Sequence, residues 1–235
     1  MIYYRGKTLE SVAPVKVVDI LISPVQMNAT VRTRPITGGA DFVRMHQGTR
    51  TVSISFALLT NDMHVRQKQL MDINAWALSD TEAPLSIPNY PDLVLNCICT
   101  ATPEPSTRQW WESKLRLVFT AYDNPYWTSK YERSASCGST AFFVNGDAPP
   151  LMRIETTIGA SDAPAYSDGT NTMTFGTYTG RPTGDLVIDL NKQTAAVGST
   201  SIMTGYTFAS RFIIPKTGNM TITGSGTVKW KERWF

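Results

Sequence analysis

Apolar and polar side chains alternate most cleanly in two segments of the first half of the chain. Val52, Ile54, Phe56 and Leu58 alternate with Thr51, Ser53, Ser55 and Ala57, and Leu115, Leu117, Phe119 and Ala121 alternate with Lys114, Arg116, Val118 and Thr120. A period of two puts each apolar set on one face of a pleated strand, so both segments predict half-buried strands with a polar outer face. Residues 16–22 and 93–100 are further strand runs, and the second, being more apolar, is expected nearer the middle of a sheet. Between these strands the period lengthens. Met63, Leu70, Ile73 and Ala77 share one helical face with Trp76 beside it, while Arg66, Lys68, Gln69, Asp72 and Asn74 fill the remainder. Asn61 or Asp62 can cap the first turn and Ala83-Pro84 bars continuation, which predicts one helix over about residues 61–78.

After Asp123-Asn124-Pro125-Tyr126-Trp127 no helical period returns. Short apolar segments at 141–144, 151–157, 171–178, 185–190, 207–214, 219–223 and 227–230 are separated by Gly, Pro, Asp and Asn. Turn signals at this density predict a β-sandwich or jelly roll. The expected fold class is mainly β: an α+β N-terminal domain over residues 1–130, with one helix packed on an antiparallel sheet, and a C-terminal β-sandwich over 131–235. Residues 23–49 show neither period, because Ser23-Pro24, Arg34-Pro35 and Gly38-Gly39 interrupt both. They read as a long irregular loop, and a loop of that length in a compact domain points to an interface. Arg32, Arg34, Arg44 and Arg50 make that surroundings basic.

Composition narrows the function. The chain has 235 residues, of which 17% are charged against about a quarter in ordinary domains, and the net charge of +3 is spread over both halves. This excludes a disordered chain and gives no basic stripe for nucleic acid. Cys97 and Cys99 alternate with Ile98, so both thiols point the same way on a strand. With Cys137 and only His46 and His64 beside them, they lack the four-ligand spacing of a zinc site and read as buried, reduced packing residues. The N-terminal Met-Ile-Tyr-Tyr-Arg-Gly-Lys has no apolar signal core, and no apolar run reaches about 18 residues, so neither a signal peptide nor a membrane span is expected.

Catalytic patterns are wanting. Gly198-Ser199-Thr200-Ser201-Ile202 is not a nucleophile elbow, and His46 and His64 read as solvated side chains rather than general bases. Asp185 and Asp189 on one extended strand would stand about 13 Å apart, too far for a glycosidase pair. Gly224-Ser225-Gly226 before Thr227-Val228 reads as a hairpin turn, and Asp162 to Gly169 lacks the spacing of a calcium loop. No catalytic, cofactor-binding or metal-binding residue is assigned, and no enzyme activity is expected. Trp110-Trp111 point to opposite sides of an extended segment, which leaves open an exposed aromatic platform for sugars.

Four motifs taken in order carry a family resemblance. Gly48-Thr49-Arg50-Thr51-Val52-Ser53-Ile54-Ser55-Phe56 is followed by a tryptophan-bearing helix and then by Val118-Phe119-Thr120-Ala121-Tyr122-Asp123-Asn124-Pro125-Tyr126-Trp127. The second half contains Gly184-Asp185-Leu186-Val187-Ile188-Asp189-Leu190 and Phe212-Ile213-Ile214-Pro215-Lys216-Thr217-Gly218-Asn219-Met220-Thr221-Ile222. Together they resemble the distal tail proteins of long-tailed phages of Gram-positive hosts, through motifs similar to GxRxIxVxF, FxxxdPYW, GxLxID and FxxLxPGxNxI. The last departs from the pattern, reading Pro-Lys-Thr-Gly-Asn where the family has Pro-Gly-x-Asn, and there is no room for the arm-like insertion some members carry.

The resemblance implies a structural hub at the virion tail tip, assembled in the host cytoplasm. It implies a hexameric ring through the N-terminal domain and a galectin-like jelly roll projecting outward. The implied partners are the tail-tube protein, the tail-associated hub or lysin protein, the tape-measure protein and a receptor-binding protein. Two other readings stand beside it: a carbohydrate-binding module acting at the host cell wall through Trp110 or Trp111, and a wall hydrolase that would need His64 or Asp189.

Overall fold

The computed structural model describes residues 1–33, 40–60, 62–103 and 115–235. They form two compact units, Met1–Trp127 with Phe235, and Thr128–Trp234. The fold is mainly β and antiparallel.

In the first unit, β1 (Tyr3–Tyr4) and β2 (Lys7–Thr8) lead into the one-turn α1 (Leu9–Val12). Strand β3 (Val15–Ile22) follows, then β4 (Met27–Thr33), β5 (Ala40–Gln47) and β6 (Arg50–Leu58). Helix α2 (Met63–Ala77), β7 (Ala83–Ser86), β8 (Leu93–Ala101) and β9 (Leu115–Ala121) complete it, and β10 (Trp127–Ser129) spans the junction in sequence. The sheet runs β3-β6-β9-β8-β7-β1-β2. As the alternation predicts, Val52, Ile54, Phe56 and Leu58 are buried, with Leu117, Phe119 and Ala121 beside them from β9. β8 is an interior strand, between β9 and β7, and it buries Leu95, Cys97 and Cys99.

Helix α2 covers this apolar face. Its cap is Asp62, whose Oδ1 accepts from the amides of His64 (2.8 Å) and Val65 (3.2 Å); Asn61 lies outside the described residues. Leu70, Ile73, Trp76 and Ala77 are the buried set. Met63 shares their angular position yet is exposed, because the first turn lies beyond the part of the helix that packs on the sheet. Trp76 fastens the helix to the N-terminal turn: its Nε1 donates to the carbonyls of Tyr4 (3.1 Å) and Lys7 (3.3 Å), and its ring meets Tyr4 and Phe119 edge to face. Burying the indole while satisfying its N–H is what makes tryptophan suitable there.

The second unit contains β11 (Arg133–Ser136), β12 (Phe142–Val144), β13 (Ala148–Ile158), β14 (Ala165–Ser167) and β15 (Thr172–Thr174). It continues through β16 (Gly184–Asp189), β17 (Thr194–Val197), β18 (Thr200–Ser201), a 3-10 turn at Met203–Gly205, β19 (Gly218–Met220) and β20 (Thr227–Trp234). Its main sheet runs β18-β17-β16-β13-β20-β11, and the pairs β12-β19 and β14-β15 form separate two-stranded sheets. Met152, Ile154, Leu186, Ile188, Val228 and Trp230 from the main sheet share one core with Val144, Tyr166, Met173, Met220 and Ile222.

Two expectations fail in this unit. Residues 207–214 form no strand: Thr207 and Arg211 donate their amides to the carbonyls of Thr174 (3.0 Å) and Thr172 (2.9 Å), and the chain between them turns outward with Phe208 in solvent. Gly224-Ser225-Gly226 is not a hairpin turn either. It carries the chain from β19, paired with β12, to β20, paired with β13 and β11.

Candidate assembly surface

Residues 15–58 are one long hairpin rather than a strand, an irregular loop and a strand. β3 pairs with β6 from Val15↔Leu58 to Ile22↔Val52, and β4 pairs with β5 from Met27↔Gln47 to Thr33↔Ala40. The two ladders are joined by main-chain bonds from Ser23 to Thr51 (2.9 Å), Gln26 to Thr49 (3.0 Å) and Gly48 to Gln26 (2.7 Å). Pro24 has no N–H to give at this point, and the hydroxyl of Ser23 contributes by accepting from the amide of Thr51 (2.8 Å). The chain passes close at Gly48, where a Cβ would stand 3.3 Å from the carbonyl oxygen of Gln26 and would displace the exposed Asn28 amide, 2.6 Å away. The irregular loop expected over residues 23–49 is therefore corrected to a hairpin over most of its length, with residues 34–39 outside the described set.

The proximal half of this hairpin belongs to the sheet and the distal half does not. β4 and β5 form a two-stranded sheet of their own, and among the described elements each packs appreciably only on the other. The base is held, since the Tyr126 hydroxyl donates to Gln47 Oε1 and a recess of about 540 Å³ is lined by Ile22, Pro24, Met27, Arg50, Tyr90 and Trp127. Met27 at this base is 51% exposed, and farther out Val31 is 56% exposed. β3 is the terminal strand of the sheet, and its Val18 and Leu21 are 47% and 58% exposed. The extra residue of a β-bulge is left without a pairing partner: Val18 of β3 holds that place between Val17↔Phe56 and Asp19↔Ser55, and Val43 of β5 between Thr30↔Arg44 and Val31↔Phe42.

The outer face of the β6-β9-β8 sheet is rich in hydroxyls. Ser53 accepts from the Arg116 guanidinium (2.8 Å), and the Thr100 and Thr120 hydroxyls meet at 2.9 Å. Thr51, Ser55 and Ala57 are half-buried, and Ser53 and Thr120 are buried. Of the four arginines that made this region basic in the sequence, Arg50 is buried and so adds no charge to the surface; Arg34 lies outside the described residues.

The residues considered for chemistry are scattered. His64 is exposed on the first turn of α2, and His46 sits on β5 opposite Asn28. Asp185 Oδ1 accepts from the Thr157 hydroxyl (2.9 Å), whereas Asp189 Oδ1 accepts from the amides of Asn191 (3.0 Å) and Lys192 (2.9 Å), closing the turn after β16. Both carboxylates are engaged in local structure. Trp110 and Trp111 lie outside the described residues. Among the described residues no three His, Cys, Asp or Glu side chains gather as a metal site would require.

Cys97 and Cys99 are buried and unpaired, and Cys137 is half-buried against the second core. Burial raises the Cys97 thiol pKa, with the Glu82 carboxylate and Cys99 adding to it, and burial likewise raises Cys99. Thiols in this state are poor nucleophiles. Burial also pushes the Tyr4 hydroxyl up to about 12.

The second unit carries a charge ladder on its main sheet. Arg153 donates to both oxygens of Glu132 (2.6 and 2.9 Å) and through Nε to Glu155 (2.6 Å), and Lys229 reaches Glu155 at 2.7 Å. These charges satisfy one another across β13 and β20. Sequence reasoning missed the ladder because Glu132 and Lys229 are distant in the chain from the Arg153-Glu155 pair, and Lys229 reaches that pair only through the register Lys229↔Arg153.

The architecture thus defines a class: a helix-covered antiparallel sheet with a long projecting hairpin, followed in the chain by a β-sandwich. No protein-family model and no curated protein sequence matches the chain. Among solved structures it is similar to the Dit (gp 19.1) protein of phage SPP1, described as a paradigm of the hub adsorption apparatus in phages infecting Gram-positive bacteria. The identity is 16% and the TM-score 0.75, over 100% of this chain and 98% of that one. A looser likeness, at 9% identity and a TM-score of 0.48 over 96% of this chain and 92% of that one, is to the phage P2 baseplate in its activated conformation with calcium; it carries no argument. At these identities the likeness to Dit establishes a shared fold. No described helix is long and apolar enough to cross a membrane.

Proposed function

We propose that this chain is a structural component of the tail tip of a long-tailed phage, a hub that forms a hexameric ring. In this reading residues 1–130 build the ring and residues 131–235 face outward. The tail-tube protein and the tail-associated hub or lysin protein are its axial partners, and the tape-measure and receptor-binding proteins are further neighbours. The observation that carries the reading is the fold correspondence with SPP1 Dit, which runs through both units and leaves almost none of either chain unmatched. Fold alone does not assign function. Two features of this chain's own support the assignment: the hairpin of residues 15–58, which overhangs its sheet, and polar side chains engaged in local structure rather than gathered into a reactive site.

The test is native mass, measured by light scattering on the 26.0 kDa chain alone and with candidate tube and hub proteins. A species of six subunits, alone or on partner binding, is expected. A chain that stays monomeric and binds neither partner would overturn the reading. Deleting residues 28–46 is expected to abolish the ring while leaving both cores folded.

A further inference from the structure

We infer that Asn145 is a site of spontaneous covalent modification in the folded protein, its side-chain amide giving way to a carboxylate through attack by the main-chain nitrogen of Gly146. The inference does not depend on the ring reading. Asn145-Gly146 is the one Asn-Gly step in the chain, and it lies between β12 and β13. Asparagine is thermolabile where the next amide can reach its side chain, and glycine, having no Cβ, leaves that amide most open. The fold admits only glycine at 146: φ is +109°, and a Cβ would stand 2.3 Å from the carbonyl oxygen of Arg233. At 145 the structure uses only the main-chain N–H, which donates to Glu232 Oε1 (3.1 Å), the oxygen that Arg133 Nε also meets at 3.1 Å.

The Asn145 carboxamide takes no hydrogen-bond partner among the described residues. Neither does the amide of Gly146, since it is the amide of Asp147 that donates to the Arg233 carbonyl (3.2 Å) at their bridge. Asn145 is half-buried, so water reaches it. Electrophile and nucleophile are thus adjacent and both unheld. Asn191 and Asn124 lack this freedom. Asn191 accepts from the amide of Met152 (2.7 Å) and donates to the carbonyl of Pro150 (2.9 Å), while Asn124 precedes Pro125, which has no N–H. Asp168-Gly169, the corresponding aspartyl step, is engaged at both ends: Asp168 Oδ1 accepts from the amides of Thr170 (2.9 Å) and Asn171 (2.6 Å), and the Gly169 amide donates to Ser167 Oγ (3.2 Å). At Asn145 the Gly146 nitrogen gives up its proton and bonds to Cγ; the Cγ–Nδ2 bond breaks, and ammonia leaves with that proton. Water then opens the five-membered imide at either carbonyl, giving aspartate or isoaspartate with no oxidant or reductant. The isoaspartyl form also lengthens the main chain by one carbon where Gly146 is pressed against Arg233, and so loosens that bridge.

Cleavage after Arg133 and Arg153 releases a peptide of residues 134–153 whose only asparagine is Asn145. The full-length protein is aged in mildly alkaline buffer, folded and in urea in parallel, then digested for mass spectrometry. In the folded sample this peptide is expected to gain one dalton before any other asparagine-bearing peptide and to elute as two products. Asn145→Gln, which keeps the main-chain donor to Glu232, is expected to lose the early gain. The isoaspartyl fraction should melt below the aspartyl one, and equal melting would overturn the loosening of the Gly146 bridge. Conversion in urea but not in the folded chain, conversion of another asparagine first, or a mass gain that persists in Asn145→Gln would each overturn the inference.

Discussion

Replacing Gly226 by alanine places a methyl group where the structure leaves no volume for one. Gly226 immediately precedes β20 and has φ +102°, and a Cβ there would sit 2.3 Å from the carbonyl oxygen of Glu155 and 2.6 Å from Thr156 Cβ, both on β13. The left-handed backbone costs an L-residue about 1–3 kcal/mol. The overlap is with backbone as well as side chain, so relief requires β20 to move away from β13, the pair that forms the middle of the main sheet; overpacking of this kind adds about 1–3 kcal/mol. The sum is about 2–6 kcal/mol. Gly180 separates the two terms, since its φ is +79° and nothing lies within 4 Å of an added Cβ. Gly180→Ala therefore pays for conformation alone. Calorimetry of the two variants beside the wild type is the assay, at about 4 °C per kcal/mol for a domain of this size. Gly226→Ala should melt well below Gly180→Ala, and the first unit, with its separate core, should be unaffected. If the two variants melt within about 0.5 kcal/mol of each other, the close approach of Gly226 to β13 is refuted.

Three further outcomes follow from the geometry. Trp76→Phe keeps most of the buried ring but strands the two carbonyls that Nε1 serves, at about 1–2 kcal/mol, whereas Trp76→Ala adds a cavity and costs about 3–5 kcal/mol; a Trp76→Phe variant as stable as the wild type in denaturant titrations would show that the indole N–H matters little. Lys229 first, and then Arg153, hold the Glu155 carboxyl below its ordinary 4.5, so on acidification the unfolded chain takes up this proton first. The contribution is intact above pH 4.5 and is lost as pH falls through the lower folded value, and Glu155→Gln should flatten that part of the melting profile. In native protein a thiol reagent should modify Cys137 before Cys99 and leave Cys97 untouched until the chain unfolds, and rapid labelling of Cys97 would contradict its burial.

What could be read from the sequence is the part in which one face of an element meets a core. β6 and β9 announce themselves because their inward residues are apolar and their outward ones are not. Helix α2 does so because Leu70, Ile73, Trp76 and Ala77 face the sheet and Asp62 caps it. The distal hairpin gave no such signal. Met27, Asn28, Ala29 and Val31 are all exposed, so neither face of β4 selects for apolar residues, and Pro24 and Pro35 sit where breakers suggest a loop. Residues 207–214 misled in the opposite sense, being apolar enough for a strand while their hydrogen bonds to Thr172 and Thr174 leave the intervening turn in water. β7 holds Pro84 and pairs with both β1 and β8, a placement that depends on neighbours distant in sequence.

The continuity of the hairpin across Pro24 and Gly48 also has a mechanical meaning. A tension along its length draws β3 and β6 the same way, so the load passes to the β6-β9 ladder, paired from Arg50↔Ala121 to Phe56↔Leu115, which is sheared as a whole. A sideways push at the tip acts on few hydrogen bonds at a time, and the first to yield are the three main-chain bonds at the junction. The arm is therefore held against a pull by the whole length of β6 on β9, and against bending by the junction alone.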